Sequence, residues 1–209
     1  MNAEETINLE STFNSNKSTV KMRRSTLFNL AVTNARSIIP KINSLVNAFS
    51  NLDLSCIAVT ETWMNKGVNK EAAIDELKGR HDISSLTKDR RGRGGGVALF
   101  YRDSKVRMTE HKFKRKRHEM IAGKVTITES GHSVYNFVIY VKPSMSAVRK
   151  EEIKMLLMDA ITDILTKERG AYITIWVTLT ISPQEILLTC FRPSRRLIHL
   201  RRGALPIWI

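Results

Sequence analysis

The chain has 209 residues, 42% of them hydrophobic, which is enough for one sizeable core. Its 34 Lys and Arg exceed its 20 Asp and Glu, giving a formal net charge of +14 at pH 7. This excess favours a polyanionic partner, most often nucleic acid, and no polybasic segment flanks a lipid-facing helix to point to a membrane instead.

The cysteines and the apolar runs indicate where in the cell the protein is expected. Neither Cys56 nor Cys190 has a partner at metal-ligand spacing, which argues against a structural zinc site and a disulfide framework. The first residues are acidic and polar, unlike a secretory signal. The apolar run from Tyr172 to Ile181 is too short to span a bilayer. We therefore expect a soluble intracellular protein without a small-molecule cofactor, for which the nucleus is one compatible location.

The first part of the chain predicts a strand, a helix and a second strand. Residues 1–24 are polar and lack apolar periodicity, which predicts a flexible tail. The run from Thr26 to Thr33 is typical of a strand, and apolar residues at helical spacing predict a helix from Pro40 to Ser50. The nearly continuous apolar run from Leu54 to Thr60 predicts a strand that is covered on both faces.

The middle of the chain predicts a short helix from Asn69 to Lys78, ended by Gly79. The polar stretch from Arg80 to Arg93 is typical of a loop. Three glycines, Gly94 to Gly96, then form a flexible start to a strand over Val97 to Tyr101.

The next part predicts a hairpin, a long helix and a further strand. Two strands, Glu119 to Thr128 and Ser133 to Val141, are separated by a turn that contains Gly131. An amphipathic helix follows from Ala147 to Glu168, with Ser146 as its N-cap, and then the strand from Tyr172 to Ile181. We predict an α/β fold of two packed sheets flanked by helices.

The composition changes near Thr178. No Asn occurs after Asn136 and no Asp after Asp163, while arginines accumulate. We therefore divide the chain after the 1–24 tail into a partial domain at 25–177 and an aberrant basic tail at 178–209. A fold that is incomplete at this end would leave an unpaired sheet edge, which predicts marginal stability and aggregation.

Polar side chains follow both early strands. Asn34 opens the segment from Asn34 to Ser37, and Glu61 opens the segment from Glu61 to Trp63. Neighbouring parallel strands would bring Asn34 and Glu61 to one sheet edge, where an amide oxygen and a carboxylate suit Mg²⁺. The alternative is that Asn34 makes a local turn and Glu61 is a solvated strand end.

A third motif, Tyr140 to Pro143, lies at the end of a later strand. The Tyr140 hydroxyl could hydrogen-bond a phosphate oxygen, although such a residue is more often an ordinary strand aromatic. Trp63 likewise could stack on a base, while packing beneath the site is the more common role of a Trp.

The three motifs, in this order, resemble those of the endonuclease/exonuclease/phosphatase superfamily, specifically the endonuclease domain of a non-LTR retrotransposon. The resemblance covers about Leu27 to Ile175. The matching segments are Asn34 to Ser37 ("N-A-R-S"), Asp53 to Trp63 (ending in "E-T-W"), Arg93 to Ala98 ("R-G-G-G-V-A") and Tyr140 to Pro143.

The resemblance implies a Mg²⁺-dependent DNA endonuclease that hydrolyses phosphodiesters. It would make Glu61 the metal ligand, Asn34 a second group for metal and phosphate, and Tyr140 the residue that holds the scissile phosphate. The family's "G-D-F-N" motif is absent from the strand that begins at Tyr172, and its final Asp-His pair is absent too, since His199 has no Asp near it. We therefore expect impaired catalysis.

The genetic code offers an explanation for this loss. The segment Trp-Val-Thr-Leu-Thr, which starts at Trp176, can be encoded by TGG-GTG-ACT-TTA-ACN. The same bases read from the third position give GGT-GAC-TTT-AAC, which is Gly-Asp-Phe-Asn. Our hypothesis is a frame shift near Ile175, which the genomic sequence can test directly.

Several basic residues could bind DNA phosphates. The alternative is that they form a charged surface that contacts only solvent. The candidates are Arg36, Arg90, Arg91, Arg93, Lys114 and Arg115. Two alternatives to an impaired endonuclease remain: a nucleic-acid-binding module without catalysis, and a transposon fragment without a function.

Overall fold

The computed structural model describes residues 28–64, 68–89, 94–113, 117–179, 186–191 and 198–199. The predicted tail at 1–24 lies outside these residues. Within them, no helix is long and apolar enough to cross a lipid bilayer.

The first sheet contains four strands in the order β1-β2-β4-β3. They are β1 (Leu30–Asn34), β2 (Cys56–Thr60), β3 (Ile83–Lys88) and β4 (Val97–Arg102). β1 and β2 are parallel, as the predicted strand-helix-strand unit requires, whereas β4 is antiparallel to both of its neighbours. The prediction of a loop over Arg80 to Arg93 was wrong for β3, because an edge strand with one partner can be as polar as this one.

Two helices flank this sheet. α1 (Ile42–Asn51) follows a 3-10 turn over Ile39–Lys41 that contains Pro40, a residue suited to a helix start. α2 (Val68–His81) continues two residues beyond Gly79, so the prediction that Gly79 ends this helix was wrong. Gly79 does not adopt the positive φ that a glycine cap needs, and nothing lies within 4 Å of where its side chain would begin.

The second sheet has six strands in the order β10-β9-β8-β7-β6-β5. They are β5 (Val106–Glu110), β6 (Met120–Ile127), β7 (Ser133–Val141), β8 (Tyr172–Leu179), β9 (Ile186–Phe191) and β10 (Ile198–His199). The β6-β7 hairpin is confirmed, and β8 returns parallel to β7. β9 and β10 lie in the segment predicted to be an aberrant tail, and β9 pairs with the edge of β8.

The long helix α3 (Ala147–Lys167) connects β7 to β8 and lies on the second sheet. Ser146 caps its first turn by accepting a hydrogen bond from the Arg149 backbone N–H at 3.4 Å, as predicted. Ile153, Ala160 and Ile164 are its buried residues.

The interior of the sandwich is filled from both sheets. Its buried residues are Cys56, Ala58, Val97 and Leu99 of the first sheet and Val106, Ile121, Val125, Val138, Tyr140 and Trp176 of the second. Cys56 is a free thiol whose burial raises its pKa far above the usual range. Helices α1 and α2 cover the outer face of the first sheet, and α3 covers that of the second. The predicted two-sheet α/β sandwich flanked by helices is therefore confirmed.

Candidate active site

Two loops meet at the carboxyl ends of β1 and β2. Asn34 is paired with Thr60 in the parallel register. Backbone hydrogen bonds continue this pairing beyond the strands, from Ala35 N–H to Thr60 at 2.9 Å, from Ser37 N–H to Glu61 at 2.9 Å and from Ile38 N–H to Thr62 at 3.0 Å. The segments that carry Asn34 and Glu61 therefore lie side by side at one sheet edge.

The backbone of these two loops is strained. Four non-glycine residues there adopt the left-handed region: Arg36 (φ 46°), Ser37 (φ 88°), Glu61 (φ 52°) and Trp63 (φ 50°). Each such residue costs on the order of 1–3 kcal/mol and persists only where its surroundings enforce it. Strain of this kind concentrates at functional sites, which makes this edge the first candidate for one.

Glu61 and Tyr140 meet across the two sheets. Both side chains are nearly buried, each with 7% of its surface exposed. The Tyr140 hydroxyl donates a hydrogen bond to Glu61 Oε1 at 3.2 Å. Glu61 is therefore a buried carboxylate with a specific donor rather than a solvated strand end, which removes that alternative.

Asn34 makes a local contact as well as lying at the shared edge. Its side-chain oxygen accepts a hydrogen bond from the Arg36 backbone N–H at 3.3 Å, which is the local turn considered as an alternative. This contact is long, and it leaves the amide oxygen with capacity for a second partner.

The glycine-rich segment closes over this edge instead of forming a loose start to β4. Gly95 and Gly96 accept backbone hydrogen bonds from Trp63 and Thr62, at 3.0 and 3.3 Å. A Cβ on Gly96, whose φ is +85°, would lie 2.4 Å from Thr62 Oγ1, so only glycine fits there.

Sequence reasoning missed Glu119, which holds this glycine segment in place. Its Oε2 accepts a hydrogen bond from the Gly96 backbone N–H at 2.6 Å. The one feature of the sequence that could have indicated a role for Glu119 is its position directly before the buried residues of β6. That position does not identify the partner, which lies 23 residues earlier in the chain.

The end of β8 carries a neutral group at the same edge. Thr178 is paired with Tyr140 in the parallel register of β7 and β8. Its hydroxyl shares a buried hydrogen bond of 2.9 Å with the hydroxyl of Thr60 at the end of β2. A threonine pair thus occupies the strand end where the resemblance placed a Gly-Asp-Phe-Asn motif.

The oxygen donors suit magnesium better than zinc. Across the part of the chain that the structure describes, no three His, Cys, Asp or Glu side chains are grouped as a metal site. Mg²⁺ needs less than this, since one or two carboxylates with water and substrate phosphate suffice. Glu61 and Asn34, at adjacent strand ends, provide one carboxylate and one amide oxygen, a sparse set that fits this mode and not a closed zinc site.

A charged cluster beside Glu119 connects the start of β6 to α3. His118 is 4% exposed, and its Nε2 lies 3.3 Å from Glu152 Oε2, while Arg117 also pairs with Glu152. Burial lowers the pKa of His118, as do Arg117, Lys88 and Arg149, although the nearby Glu152 carboxylate opposes the shift. No local sequence pattern indicates this cluster, because its members are separated by the whole of β6 and β7.

Among the predicted DNA contacts, Arg36 lies in the strained loop next to Asn34. The other five lie outside the described residues and stay predictions: Arg90, Arg91, Arg93, Lys114 and Arg115.

Comparison by sequence finds no match to any known family profile and none to a curated protein. Comparison of structures does find similar folds. An endonuclease/exonuclease/phosphatase family protein from Bacteroides thetaiotaomicron matches with a TM-score of 0.53 and 10% identity over 72% of this chain and 62% of that one. The chain has the endonuclease/exonuclease/phosphatase fold.

Two further structures with this fold are similar. A mannosyl-6-phosphatase from Bacteroides thetaiotaomicron matches with a TM-score of 0.51 and 10% identity, over 72% of this chain and 64% of that one. The 3′ phosphatase NExo from Neisseria, bound to a product DNA hairpin, matches with a TM-score of 0.52 and 13% identity, over 75% of this chain and 59% of that one. The chain thus spans less than two thirds of the length of each of these proteins.

Proposed function

We propose that the chain is a Mg²⁺-dependent DNA endonuclease domain of retrotransposon origin whose catalysis is impaired. The observation that carries this proposal is the buried hydrogen bond between Tyr140 and Glu61 at a strained sheet edge. Burying a carboxylate is costly unless it is hydrogen-bonded or binds a metal, and one neutral hydroxyl satisfies only part of its hydrogen-bonding capacity. A site that binds a cation and a phosphate accounts for this arrangement.

Glu61 is the proposed metal ligand, with Asn34 as the second oxygen donor from the neighbouring strand end. When bound, Mg²⁺ supplies a Lewis acid that stabilises negative charge on the phosphate and on the leaving oxygen. The left-handed backbone at Glu61 fixes where the carboxylate projects, so the ligand is positioned before the substrate arrives.

Tyr140 has the geometry of a phosphate-holding group. Its hydroxyl contacts Glu61, and the residue belongs to β7, which is paired with a strand on each side. The hydroxyl has one proton, so donating it to a phosphate oxygen requires the O–H to turn away from Glu61, while the ring and its strand stay in place.

The end of β8 supports the proposed impairment. A general base that activates water contributes about 10²–10⁴-fold, and catalytic groups that act together are lost as a unit. Thr178, the residue that faces Thr60 here, is neutral and already hydrogen-bonded. It can neither take a proton from water nor hold a phosphate as an amide would.

DNA is the proposed substrate because of charge and fold. The net charge of +14 suits a polyanion. The NExo structure, which has the same fold, contains a DNA hairpin. Of the predicted DNA contacts, Arg36 lies among the residues that the structure describes, close to Asn34, and we expect it to contact a phosphate.

A plasmid-nicking assay with Mg²⁺ tests this proposal. We expect slow nicking that EDTA and Glu61→Ala both remove, while Glu151→Ala, on the exposed face of α3, leaves the rate unchanged. Circular dichroism should show that both variants keep the fold. Nicking that persists in Glu61→Ala would refute the assignment of Glu61.

The second candidate is a nucleic-acid-binding module without catalysis, which the hydroxyl pair at the end of β8 favours. In that case, DNA affinity should fall steeply with salt concentration, while no cleavage occurs at any Mg²⁺ concentration. The nicking and binding assays together separate the two candidates.

A further inference from the structure

Trp63 presents an indole ring beside the candidate site instead of beneath it. The side chain is 41% exposed, whereas Trp176 is 5% exposed in the core. Packing beneath the site, the common role expected of Trp63, is therefore not what this residue does. A large aromatic ring held half-exposed beside the candidate site has a face available for stacking on a ligand.

The local backbone fixes the position of this ring. Trp63 has a φ of 50°, and its N–H donates to the Gly95 carbonyl at 3.0 Å. Its Nε1 would lie 3.8 Å from a Cβ on Gly94, so the ring packs beside a residue that has no side chain. A rigid aromatic group loses little conformational entropy when it binds, which is typical of a binding platform.

The distance to Glu61 determines what the ring can reach. Trp63 is two residues after Glu61, so their Cα atoms are separated by at most about 7 Å. A nucleic acid strand whose phosphate lies at Glu61 therefore has the base of the same or an adjacent nucleotide within reach of the indole. Every base has a π-face, and stacking on an aromatic residue tolerates any sequence.

We infer that Trp63 is the stacking platform for an unpaired nucleobase next to the phosphodiester at Glu61. This inference rests on the proposed function and adds to it the class of substrate: DNA that is single-stranded or locally unpaired at the reacting nucleotide. A base within an intact duplex is already stacked on both faces and cannot use the ring without being displaced.

Binding in EDTA tests this inference without any cleavage. Affinities are measured for fluorescein-labelled single-stranded oligonucleotides, and for a series in which an abasic residue replaces each nucleotide in turn. We expect Trp63→Ala to weaken binding to the intact oligonucleotide about 5- to 150-fold, the range for loss of one stacked base. Trp63→Phe should retain most of the affinity, because the smaller ring still stacks.

The abasic series provides the decisive comparison. One abasic position should weaken binding to the wild-type chain as much as Trp63→Ala does, and it should have no further effect on that variant. Leu52→Ala is the matched control, because Leu52 is 46% exposed on another part of the surface. It should bind every oligonucleotide as the wild type does.

Two results would overturn the inference. The first is an unchanged DNA affinity in a folded Trp63→Ala chain. The second is that every abasic position weakens binding to Trp63→Ala as much as it weakens binding to the wild type. If Trp63→Ala instead changes only the sedimentation behaviour of the protein, the ring belongs to a protein interface. Failure of the nicking assay has a different signature, since it leaves the stacking measurement intact, so the two proposals are judged separately.

Discussion

The ends of β2 and β8 lie at the same edge of the sandwich and differ in kind. The end of β2 has a left-handed backbone, a buried carboxylate and a cross-sheet donor from Tyr140. The end of β8 is regular strand, and its Thr178 hydroxyl is paired with that of Thr60. In the proposed function, phosphate and metal binding belong to the end of β2, and the proposed loss of water activation belongs to the end of β8.

The largest expected effect comes from repairing the end of β8. If the frame shifted near Ile175, a chain translated in the other frame from that point would regain Gly-Asp-Phe-Asn. We expect its nicking rate to rise by about a thousandfold or more, because the missing groups act with those already present. The same repaired chain with Glu61→Ala is the control and should be inactive. If the repaired chain nicks no faster than the present one, the idea that only the end of β8 has lost its function is wrong.

The next largest effect tests the strained half directly. Gly96→Ala should reduce the free energy of unfolding by about 3 kcal/mol, because the new Cβ meets Thr62 Oγ1 and φ is positive. Gly131→Ala is the matched control, since Gly131 also has a positive φ but open space around it, and it should lose only about 1 kcal/mol. Urea unfolding of both variants measures the difference. Equal losses would mean that the glycine segment is not closely packed on Thr62.

Tyr140→Phe probes the contact between the sheets at the end of β2. Removing the hydroxyl takes away the donor to a buried carboxylate, which should cost about 2 kcal/mol of folding free energy at pH 7. The loss should shrink when Glu61→Gln is also present, since the carboxylate is then absent. Additive losses in this double-mutant cycle would show that the two side chains do not interact in solution.

The corresponding contact at the end of β8 should be worth less. Thr178→Val leaves the Thr60 hydroxyl buried without its partner and should cost about 1 kcal/mol. Replacing both threonines by valine should restore most of this loss, because no unpaired hydroxyl remains. A double variant less stable than the single one would assign a further role to these hydroxyls.

The smallest effect is the pH dependence from His118. Its folded pKa lies below the ordinary value of 6.5, so as pH falls through 6.5 the unfolded chain takes up the proton first. This histidine therefore destabilises the fold below that pH, by less than about 1 kcal/mol per unit of pH, partly offset by Glu152. Urea midpoints of the wild type and His118→Gln, measured from pH 7.5 to 5, should diverge only at the acidic end. If the two curves of urea midpoint against pH are parallel, the pH dependence of stability comes from groups other than His118.

Hydrophobic patterning predicted the elements that have a continuous apolar run or an apolar period. β1, β2, the β6-β7 hairpin and α3 have apolar periods that match their surroundings. β3 was missed because an edge strand with a polar sequence has no such period, and β5 gave no prediction for the same reason.

The candidate site was predictable only where strand order brings residues together. Parallel pairing of β1 and β2 placed Asn34 and Glu61 at one edge, as their positions after the two strands had indicated. Glu119 with Gly96, and Thr60 with Thr178, are contacts between distant segments that depend on how the two sheets dock. No local pattern encodes that docking, so these pairs could not be read from the sequence.

The hydrogen bond between Tyr140 and Glu61 joins residues that are 79 positions apart and belong to different sheets. The β6-β7 hairpin and the β1-α1-β2 unit each contain local contacts, and such units form early because closing a short loop is fast. The bond between them can form only when the two sheets have packed together. We therefore expect this hydrogen bond to report the docking of the two sheets, as do the bonds from Gly96 to Glu119 and between Thr60 and Thr178.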